Sequence, residues 1–182
     1  MKKIYLENDD ATNNIGKLIS EDILNITKDN IEIHLEGDLG AGKTFLTRSI
    51  ISHAGWSGLV KSPTYTLCEE YELNKILFLH IDLYRSDESE DLDIFNLNRE
   101  TKLKKIIIIE WSDKLKENRS FDLKIKFEHI NNQREIEIID KNADRDRERQ
   151  IEVGIEWDID RDRERDRDRE RERDRNSNRV RD

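Results

Sequence analysis

Apolar residues recur along the chain, up to about residue 140, with two periods: two residues in some segments and about 3.6 in others. Alternating or unbroken apolar runs predict seven strands, at residues 3–7, 31–36, 65–71, 75–81, 105–109, 121–130 and 134–139. The third and fourth strands, and also the sixth and seventh, stand close enough in the chain to form hairpins. The fifth is an isoleucine run, which is typical of the middle of a parallel sheet. The sheet is therefore predicted to be mixed.

The helical period is found in residues 15–26, whose apolar side chains recur every three or four positions. Asp9 or Asp10 is predicted to cap this helix. A second helix is predicted to begin within residues 45–51, and an acidic start with spaced apolar residues predicts a third over residues 87–98. The whole pattern predicts an α/β fold, in which helices flank a mixed sheet.

Composition divides the chain into two parts. Of its 182 residues, 41% are charged and 34% hydrophobic, which is too polar for the whole chain to form a core. Residues 144–182 hold 13 Arg and 15 Asp plus Glu, a net charge of −2, which leaves −7 of the total −9 for residues 1–143. We predict a folded domain at residues 1–141 and a charged low-complexity tail at residues 142–182. The tail is interpreted as disordered or as a solvated helix, with a partner- or RNA-binding arm as the alternative.

Charge and cysteine content exclude some classes of protein. An acidic domain is unlike a stand-alone nucleic-acid binder, which usually carries a basic face. The single cysteine, Cys68, excludes an internal disulfide and fits a reducing compartment. The amino-terminal residues lack the apolar core of a signal peptide, and the longest aliphatic run, residues 106–109, is too short to span a bilayer. We therefore expect a cytoplasmic protein without membrane association.

Residues 37–44, Gly-Asp-Leu-Gly-Ala-Gly-Lys-Thr, fit the phosphate-binding loop G-x-x-x-x-G-K-[ST] and stand between a predicted strand and a predicted helix. The glycines let the backbone turn and aim N–H groups at a phosphate, beside the positive end of the helix. Lys43 is placed to neutralise phosphate oxygens, and the Thr44 hydroxyl to bind Mg²⁺. The predicted ligand is a nucleoside triphosphate. Because the guanine-reading motif N-K-x-D is absent from the sequence, adenine is the favoured base.

Two acidic residues follow predicted strands, Asp82 after residues 75–81 and Glu110 after residues 105–109. An aliphatic strand that runs into an acid is the Walker-B pattern, in which a carboxylate at the carboxyl edge of the sheet faces the Mg²⁺ of a nucleotide. Each acid also has an ordinary interpretation as a helix cap or a strand-end charge. The sequence leaves open which of the two is the main metal-organising acid.

Two nearby residues have ordinary interpretations that the local sequence favours. Pro63 fixes a loop from which the Thr64 hydroxyl would be presented, yet the segment alone favours a plain loop leading into a strand. His80 is interpreted as a packed histidine rather than a catalytic one, and it is predicted to lie on the strand face opposite Asp82.

Four segments together resemble the TsaE family, whose members are bacterial P-loop ATPases of the tRNA threonylcarbamoyladenosine pathway. In chain order they are LEGDLGAGKT at residues 35–44, KSPTYTL at 61–67, HIDLYR at 80–85 and IEW at 109–111. The resemblance covers about residues 1–140, and four ordered motifs are much more specific than the phosphate-binding loop alone. The chain departs from the family at Ser112, where a proline often follows the Glu-Trp pair, so the turn after that strand is not carried over.

The resemblance implies a compact ATPase with a P-loop NTPase-like mixed sheet, which works with two partner proteins, TsaB and TsaD. TsaD transfers threonylcarbamoyl to the adenosine beside the anticodon of tRNA, and TsaE hydrolyses ATP to support repeated turnover. The implied cofactors are therefore ATP and Mg²⁺. The chain would meet tRNA only through the complex.

The resemblance also implies a role for each matching residue. The residues that cradle the phosphates are Gly37, Asp38, Leu39, Gly40, Ala41, Gly42, Lys43 and Thr44. The implied catalytic residues are Lys43, Asp82 and Glu110, and the implied metal ligands are Thr44, Glu110 and Asp82. Of the remaining positions, Thr64 resembles a switch threonine, Trp111 would lie close to the nucleotide, and Thr12 would approach the adenine. Arg85 is the candidate in this chain for an arginine finger, and a partner is the alternative source.

Two other function classes stay open on the sequence. A small P-loop kinase would phosphorylate a metabolite, but it would need an acceptor pocket and usually a mobile arginine-bearing lid, and no clear lid segment precedes the tail. A nucleotide-dependent binding module would use the same loop, with its partner contact as the real function and hydrolysis as incidental.

Overall fold

The computed structural model describes residues 2–86, 97, 99–115, 119–130 and 133–141. These residues form seven strands and two α-helices, in the order β1 Lys2–Leu6, α1 Asp9–Asn25, β2 Asn30–Glu36, α2 Lys43–His53, β3 Cys68–Leu73, β4 Ile76–Asp82, β5 Lys104–Glu110, β6 Leu123–Ile130 and β7 Gln133–Asp140. Almost all of the helix predicted over residues 87–98, and the whole predicted tail at residues 142–182, lie outside the described residues. Of the helices described, none is long and apolar enough to cross a membrane.

The strands form one mixed sheet in the order β1-β7-β6-β2-β5-β4-β3. The strand that precedes the phosphate-binding loop, β2, is central and runs parallel to β5 on one side and to β6 on the other. β4 continues the parallel set beside β5, and the antiparallel pairs β3–β4 and β6–β7 are the two predicted hairpins. Because β2, β4 and β5 end at one edge of the sheet, residues 37–44, Asp82 and Glu110 meet there. The predicted mixed α/β fold is confirmed.

Both helices contribute to a core on one face of the sheet. There Ile33 of β2 and Ile108 of β5 join Ile50 of α2 in the main buried cluster. The two helices approach each other closely at Gly16, where an added Cβ would lie 2.2 Å from the Ser49 Oγ. Burial of these side chains, at about 25 cal/mol per Å² of apolar surface, fixes the helix that follows the phosphate-binding loop onto the sheet.

The other face of the sheet is divided into an apolar half and a charged half. β4 and β5 carry a second buried apolar cluster there, which includes Ile107. On β2 and β6 the same face carries charged side chains that pair with their neighbours. Glu36 lies 2.6 Å from Lys124, and Glu32 lies 2.6 Å from Arg119. Ion pairs therefore cover this charged half, whereas apolar side chains cover the opposite face.

The cap of α1 is one residue earlier than predicted. Asn8 has extended backbone, and its side chain accepts a hydrogen bond from the Ala11 N–H at 2.9 Å. Asp9 and Asp10 instead lie in the first turn, where their charge complements the helix dipole. The prediction of an aspartate cap is wrong because the asparagine before them is the last non-helical residue, which is the position a cap requires.

The start of β3 also differs from the prediction. The strand begins at Cys68, and residues 65–67 belong to a turn in which the Leu67 N–H donates to the Pro63 carbonyl at 2.6 Å. Leu67 closes that turn with a φ of 62°, which an extended strand does not allow. The turn that follows Pro63 therefore prevents residues 65–67 from joining the strand that their alternating pattern predicts.

Candidate nucleotide-binding site

The phosphate-binding loop joins β2 to α2 through glycines with left-handed backbone. Gly37 has a φ of 132°, and a Cβ on it would lie 2.5 Å from the Phe127 carbonyl oxygen. Gly42, with a φ of 111°, immediately precedes α2, and no side chain caps that helix end. The N–H groups of the first helical turn therefore keep their hydrogen-bonding capacity, at the positive end of the helix dipole. A phosphate is the group that such a helix start accepts.

Lys43 is buried, with 4% of its surface exposed. Its Nζ donates to the carbonyl oxygens of Gly37 at 2.6 Å and Asp38 at 2.8 Å, and lies 3.8 Å from the centroid of the Trp111 ring. Burial lowers the pKa of Lys43, while nearby carboxylates, that of Glu110 first, act in the opposite direction. The loop carbonyls thus hold the ammonium inside the loop, where phosphate oxygens can replace them.

Glu110, at the end of β5, is 1% exposed, and polar side chains of two other elements contact its carboxylate. Thr44 of α2 donates its hydroxyl to Glu110 Oε2 at 2.7 Å. His80 Nε2 of β4 lies 2.7 Å from Oε1, and the Thr47 hydroxyl lies 3.4 Å from the same oxygen. The hydroxyl group and the carboxylate that the sequence predicts as magnesium ligands are therefore in direct contact.

Asp82 ends β4 beside Glu110, since the two residues are paired across the strands. Its Oδ2 accepts a hydrogen bond from the Thr64 hydroxyl at 2.8 Å, and its Oδ1 accepts one from the Tyr84 N–H at 2.9 Å. The Ser62 hydroxyl lies 2.9 Å from that of Thr64. The loop around Pro63 is therefore more than the plain connection that its sequence favours, because it ties Thr64 to a predicted catalytic acid.

These residues surround a cavity of about 250 Å³. Its lining consists of Leu39, Gly40, Ala41, Gly42, Lys43, Thr44, Phe45, Ser62, Thr64, Asp82, Tyr84, Glu110 and Trp111. Most of the site residues named from the sequence are thus brought together in one place. Gly37 and Asp38 do not line the cavity, but their carbonyl groups hold Lys43 at its wall.

Two residues singled out from the sequence lie away from this cavity. Thr12 is buried in α1, and its hydroxyl makes no hydrogen bond within the described part of the chain. Arg85 is exposed, and its guanidinium carbon lies 4.5 Å from the centroid of the Tyr65 ring. The structure therefore does not bring Thr12 or Arg85 to the wall that Lys43 and Glu110 share.

Of the residues around Glu110, the sequence interpretation missed Thr47 and placed His80 on the wrong face, although signals for both were present. Thr47 lies one helical turn after Thr44, on the same face of α2. The prediction that His80 lies opposite Asp82 is wrong, because residues two positions apart in a strand share a face. His80 is packed, as interpreted, but it is packed against Glu110.

Arg134 was also missed, and nothing in the sequence points to it. Its Nη1 lies 3.5 Å from the position that a Gly42 Cβ would occupy, and its Nη2 donates to Asp9 at 2.6 Å. It reaches the loop because β7 pairs with β1, with Arg134 opposite Leu6. This pairing joins the two ends of the described domain, which local sequence patterns do not predict.

The donor set fits a magnesium ion. In the described ranges no three His, Cys, Asp or Glu side chains cluster as a metal site of protein ligands alone. Mg²⁺ is usually held by one or two carboxylates together with substrate phosphates and waters, and P-loop proteins add a hydroxyl. Thr44, Glu110 and Asp82 supply that set of oxygen atoms at one edge of the sheet.

The turn after β5 brings Trp111 to the cavity without a proline. Trp111 has a φ of 60°, and its N–H donates to the Leu35 carbonyl at 2.9 Å. A short 3-10 helix, Ser112–Lys114, follows directly. The Tyr84 ring centroid lies 5.0 Å from that of the indole. The backbone bond to β2 and the ring contacts therefore hold this turn where Ser112 replaces the proline.

Comparisons with known proteins show which family and which fold this chain is similar to. The profile of the family described as "Threonylcarbamoyl adenosine biosynthesis protein TsaE" matches residues 6–139. The chain is 37% identical over 140 residues to the tRNA threonylcarbamoyladenosine biosynthesis protein TsaE of Haemophilus influenzae, covering 74% of this chain and 87% of that protein. It is 35% identical over 111 residues to the Bacillus subtilis protein of the same name, covering 60% of this chain and 66% of that one. Its fold is similar to the crystal structure of Bacillus subtilis YdiB, with a TM-score of 0.60, 25% identity, and coverage of 84% of this chain and 94% of the other.

Proposed function

Because the chain belongs to the TsaE family of threonylcarbamoyl adenosine biosynthesis proteins, we propose that it is a Mg²⁺-dependent ATPase that supports tRNA modification. ATP hydrolysis by this chain sustains repeated transfer of threonylcarbamoyl to the adenosine beside the anticodon. Its partners in this proposal are TsaB and TsaD, of which TsaD carries out the transfer. The chain meets tRNA through that complex, in the cytoplasm.

The contact between Thr44 and Glu110 is the observation that carries the proposal. The two residues are 66 positions apart in the chain, yet the Thr44 Oγ1 and the Glu110 Oε2 lie 2.7 Å apart beside the phosphate-binding loop. A glycine turn of purely structural purpose has no need for a buried carboxylate at this hydroxyl, since burying a charge is unfavourable unless it is paired. The contact is therefore better explained by a metal-bound nucleotide.

Each residue of the site has a role in phosphoryl transfer to water. The N–H groups of residues 37–44 and the Lys43 ammonium bind the phosphate oxygens, and Thr44 and Glu110 would hold Mg²⁺. Mg²⁺, when bound, neutralises charge on the β- and γ-phosphate oxygens. Asp82, held by Thr64, orients the attacking water, and Trp111 closes one wall against solvent. Positioning and charge neutralisation supply most of the catalysis in this class of reaction.

Phosphate release from Mg·ATP tests the proposal directly. The purified chain is assayed alone and then with TsaB and TsaD of the same organism, with Lys43→Ala as the blank. We expect slow release that rises when the partners are added. Release that is indifferent to the partners, together with a phosphorylated small molecule in a product screen, would instead identify a metabolite kinase.

A Glu110→Gln variant separates an ATPase from a nucleotide-dependent binding module. The variant keeps the shape of the side chain but removes its charge, so it should lose hydrolysis while still binding the nucleotide. We expect repeated turnover of the modification complex to stop with this variant. Continued turnover in the absence of hydrolysis would show that the partner contact alone is the function.

A further inference from the structure

His80 makes a buried contact with Glu110 for which the proposed function has no role so far. The His80 side chain is 0% exposed, and its Nε2 lies 2.7 Å from Glu110 Oε1. It reaches Glu110 because β4 and β5 are parallel neighbours whose register places His80 opposite Ile108, two positions before Glu110 and on the same face. The contact is therefore built by the central strands of the sheet.

The surroundings of the ring indicate which nitrogen carries the proton. His80 Nδ1 is buried and makes no hydrogen bond to any described residue. A proton on Nδ1 would thus be a buried donor without an acceptor, which is unfavourable. A proton on Nε2 is donated to Glu110 Oε1 instead. This is the arrangement in which a histidine orients a carboxylate.

The two oxygens of Glu110 are consequently fixed from two sides. His80 holds Oε1, while the Thr44 hydroxyl reaches Oε2 at 2.7 Å. The Thr47 hydroxyl is a weak substitute for His80, because it lies 3.4 Å from Oε1. It also donates a hydrogen bond to the Lys43 carbonyl, at 3.1 Å. Without the imidazole, the carboxylate would be held mainly through Oε2, and it could turn about its contact with Thr44.

We propose that His80 is a positioning residue, which fixes the Glu110 carboxylate so that Oε2 stays at the Thr44 hydroxyl, where the metal of the nucleotide is expected. The inference rests on the proposed function, because it concerns the metal part of that site. It assigns the histidine to metal affinity and not to nucleotide recognition, since His80 does not line the cavity. Groups that orient a metal ligand in this way typically contribute about 10- to 100-fold in metal affinity.

Three substitutions separate the hydrogen bond from the bulk of the ring. His80→Leu removes the donor, and His80→Gln places an amide N–H near the position of Nε2. His80→Asn keeps an amide, but its shorter side chain does not reach Oε1. The Gln and Asn variants therefore form a matched polar pair that differs in reach, and they decide the question even where the Leu variant fails to fold.

The chain offers a natural control in His34, on the charged half of the opposite face. His34 is 2% exposed, and its Nε2 lies 2.7 Å from Glu32 Oε1. His34→Leu thus removes a similarly buried His–Glu contact on the face of the sheet opposite Glu110. A loss caused only by deleting a buried histidine should be found in this variant as well.

The measurement is binding of a non-hydrolysable ATP analogue by calorimetry over a series of Mg²⁺ concentrations, and also in EDTA. For His80→Leu and His80→Asn we expect the Mg²⁺ concentration at half-maximal binding to rise about tenfold or more, with binding in EDTA unchanged. His80→Gln should recover to within about threefold of the wild type, and His34→Leu should stay within about twofold.

Other outcomes would overturn the inference in distinct ways. An unchanged Mg²⁺ dependence in His80→Leu and His80→Asn, or a Gln variant as weak as the Asn variant, contradicts the positioning role while leaving the proposed function intact. An equal loss of binding in EDTA would mean that His80 is merely structural. A wild-type chain whose analogue binding ignores Mg²⁺ would remove both the inference and the proposed metal dependence.

Discussion

Two histidine–glutamate pairs lie on opposite faces of the sheet and share nearly the same local geometry. His34 contacts Glu32, and His80 contacts Glu110, each with 2.7 Å between Nε2 and Oε1. Both histidines are buried, and each pair joins residues on one face of the strands. The pairs differ in the other groups that reach the carboxylate.

Among the described residues, Glu32 has a permanent cation in direct contact, whereas Glu110 does not. Arg119 donates its Nε to Glu32 at 2.6 Å. Around Glu110 the contacts are hydroxyl groups and an imidazole, and none of the Lys or Arg side chains in the described ranges forms an ion pair with it. Glu110 interacts with the Lys43 ammonium only through space. Because a buried carboxylate without a contacting cation is unfavourable, Glu110 suits the metal position of the proposed function. Within the described part of the chain, the contacting cation, and not the His–Glu contact, therefore distinguishes the Glu32 pair from the Glu110 pair.

Removing the charge of each glutamate in turn should give the largest difference in activity between the two pairs. In Glu110→Gln we expect phosphate release from Mg·ATP to fall about 100-fold or more, because the metal loses a charged ligand. In Glu32→Gln we expect release to stay within about twofold of the wild type. Steady-state phosphate assays with matched protein concentrations check both, and equal losses would contradict the comparison.

Removing the Thr44 hydroxyl should weaken nucleotide binding more than removing the Thr47 hydroxyl, because Thr44 lies closer to Glu110. Thr44→Val removes the 2.7 Å contact and a predicted metal ligand, so Mg²⁺-dependent nucleotide affinity should fall about 10- to 100-fold. Thr47→Val removes only the 3.4 Å contact and should reduce affinity about threefold at most. Calorimetric titrations at saturating and limiting Mg²⁺ measure both. A Thr47 variant as weak as the Thr44 variant would mean that Oε1 is the metal-facing oxygen.

The permanent cation of the Glu32 pair should matter for stability and not for nucleotide binding. Arg119→Gln leaves Glu32 without its ion pair, and because both side chains are partly exposed, we expect the free energy of unfolding to fall by only about 1 to 2 kcal/mol. Urea denaturation monitored by circular dichroism gives this value. Nucleotide affinity should be unchanged, and a parallel loss of affinity would connect the charged half of the sheet to the site.

Truncation after Lys141 should have the smallest effect, because both pairs and the cavity lie within the preceding residues. We expect the shortened chain to release phosphate from Mg·ATP at a rate within about twofold of the full chain. The comparison should be made with the isolated protein, so that partner contacts do not contribute. A large loss of activity would refute the predicted domain boundary at residues 141 and 142.

The sequence predicted the sheet well because its signals are local. The isoleucine run of β5 and the alternation of β6 need only neighbouring residues to be recognised. The prediction failed where a turn competed with a pattern, as at residues 65–67, and where the cap depended on one backbone conformation, as at Asn8. Local pattern therefore determined the kind of each element better than its ends.

The site likewise has parts that the sequence predicted and parts that it did not. The loop at residues 37–44 is continuous in sequence, so its chemistry could be predicted, and Asp82 and Glu110 follow from the strand ends. The contact of Thr64 with Asp82 and the approach of Arg134 to Gly42 depend on tertiary pairing. No single segment carries that information. His80 was misplaced for a simpler reason, because strand periodicity was applied incorrectly to it.

The central position of β2 also affects the order in which the chain folds. Leu35 pairs with Glu110, and Glu36 pairs with Lys126, whereas the hairpins β3–β4 and β6–β7 join sequence neighbours. Closing long loops is slow compared with forming local pairs, so the hairpins should gain protection before β2 docks between β5 and β6. Pulse-labelled hydrogen exchange during refolding would test this order, and early protection of β2 amides would contradict it. In this folding order, the candidate nucleotide-binding site forms only in the last stage of folding.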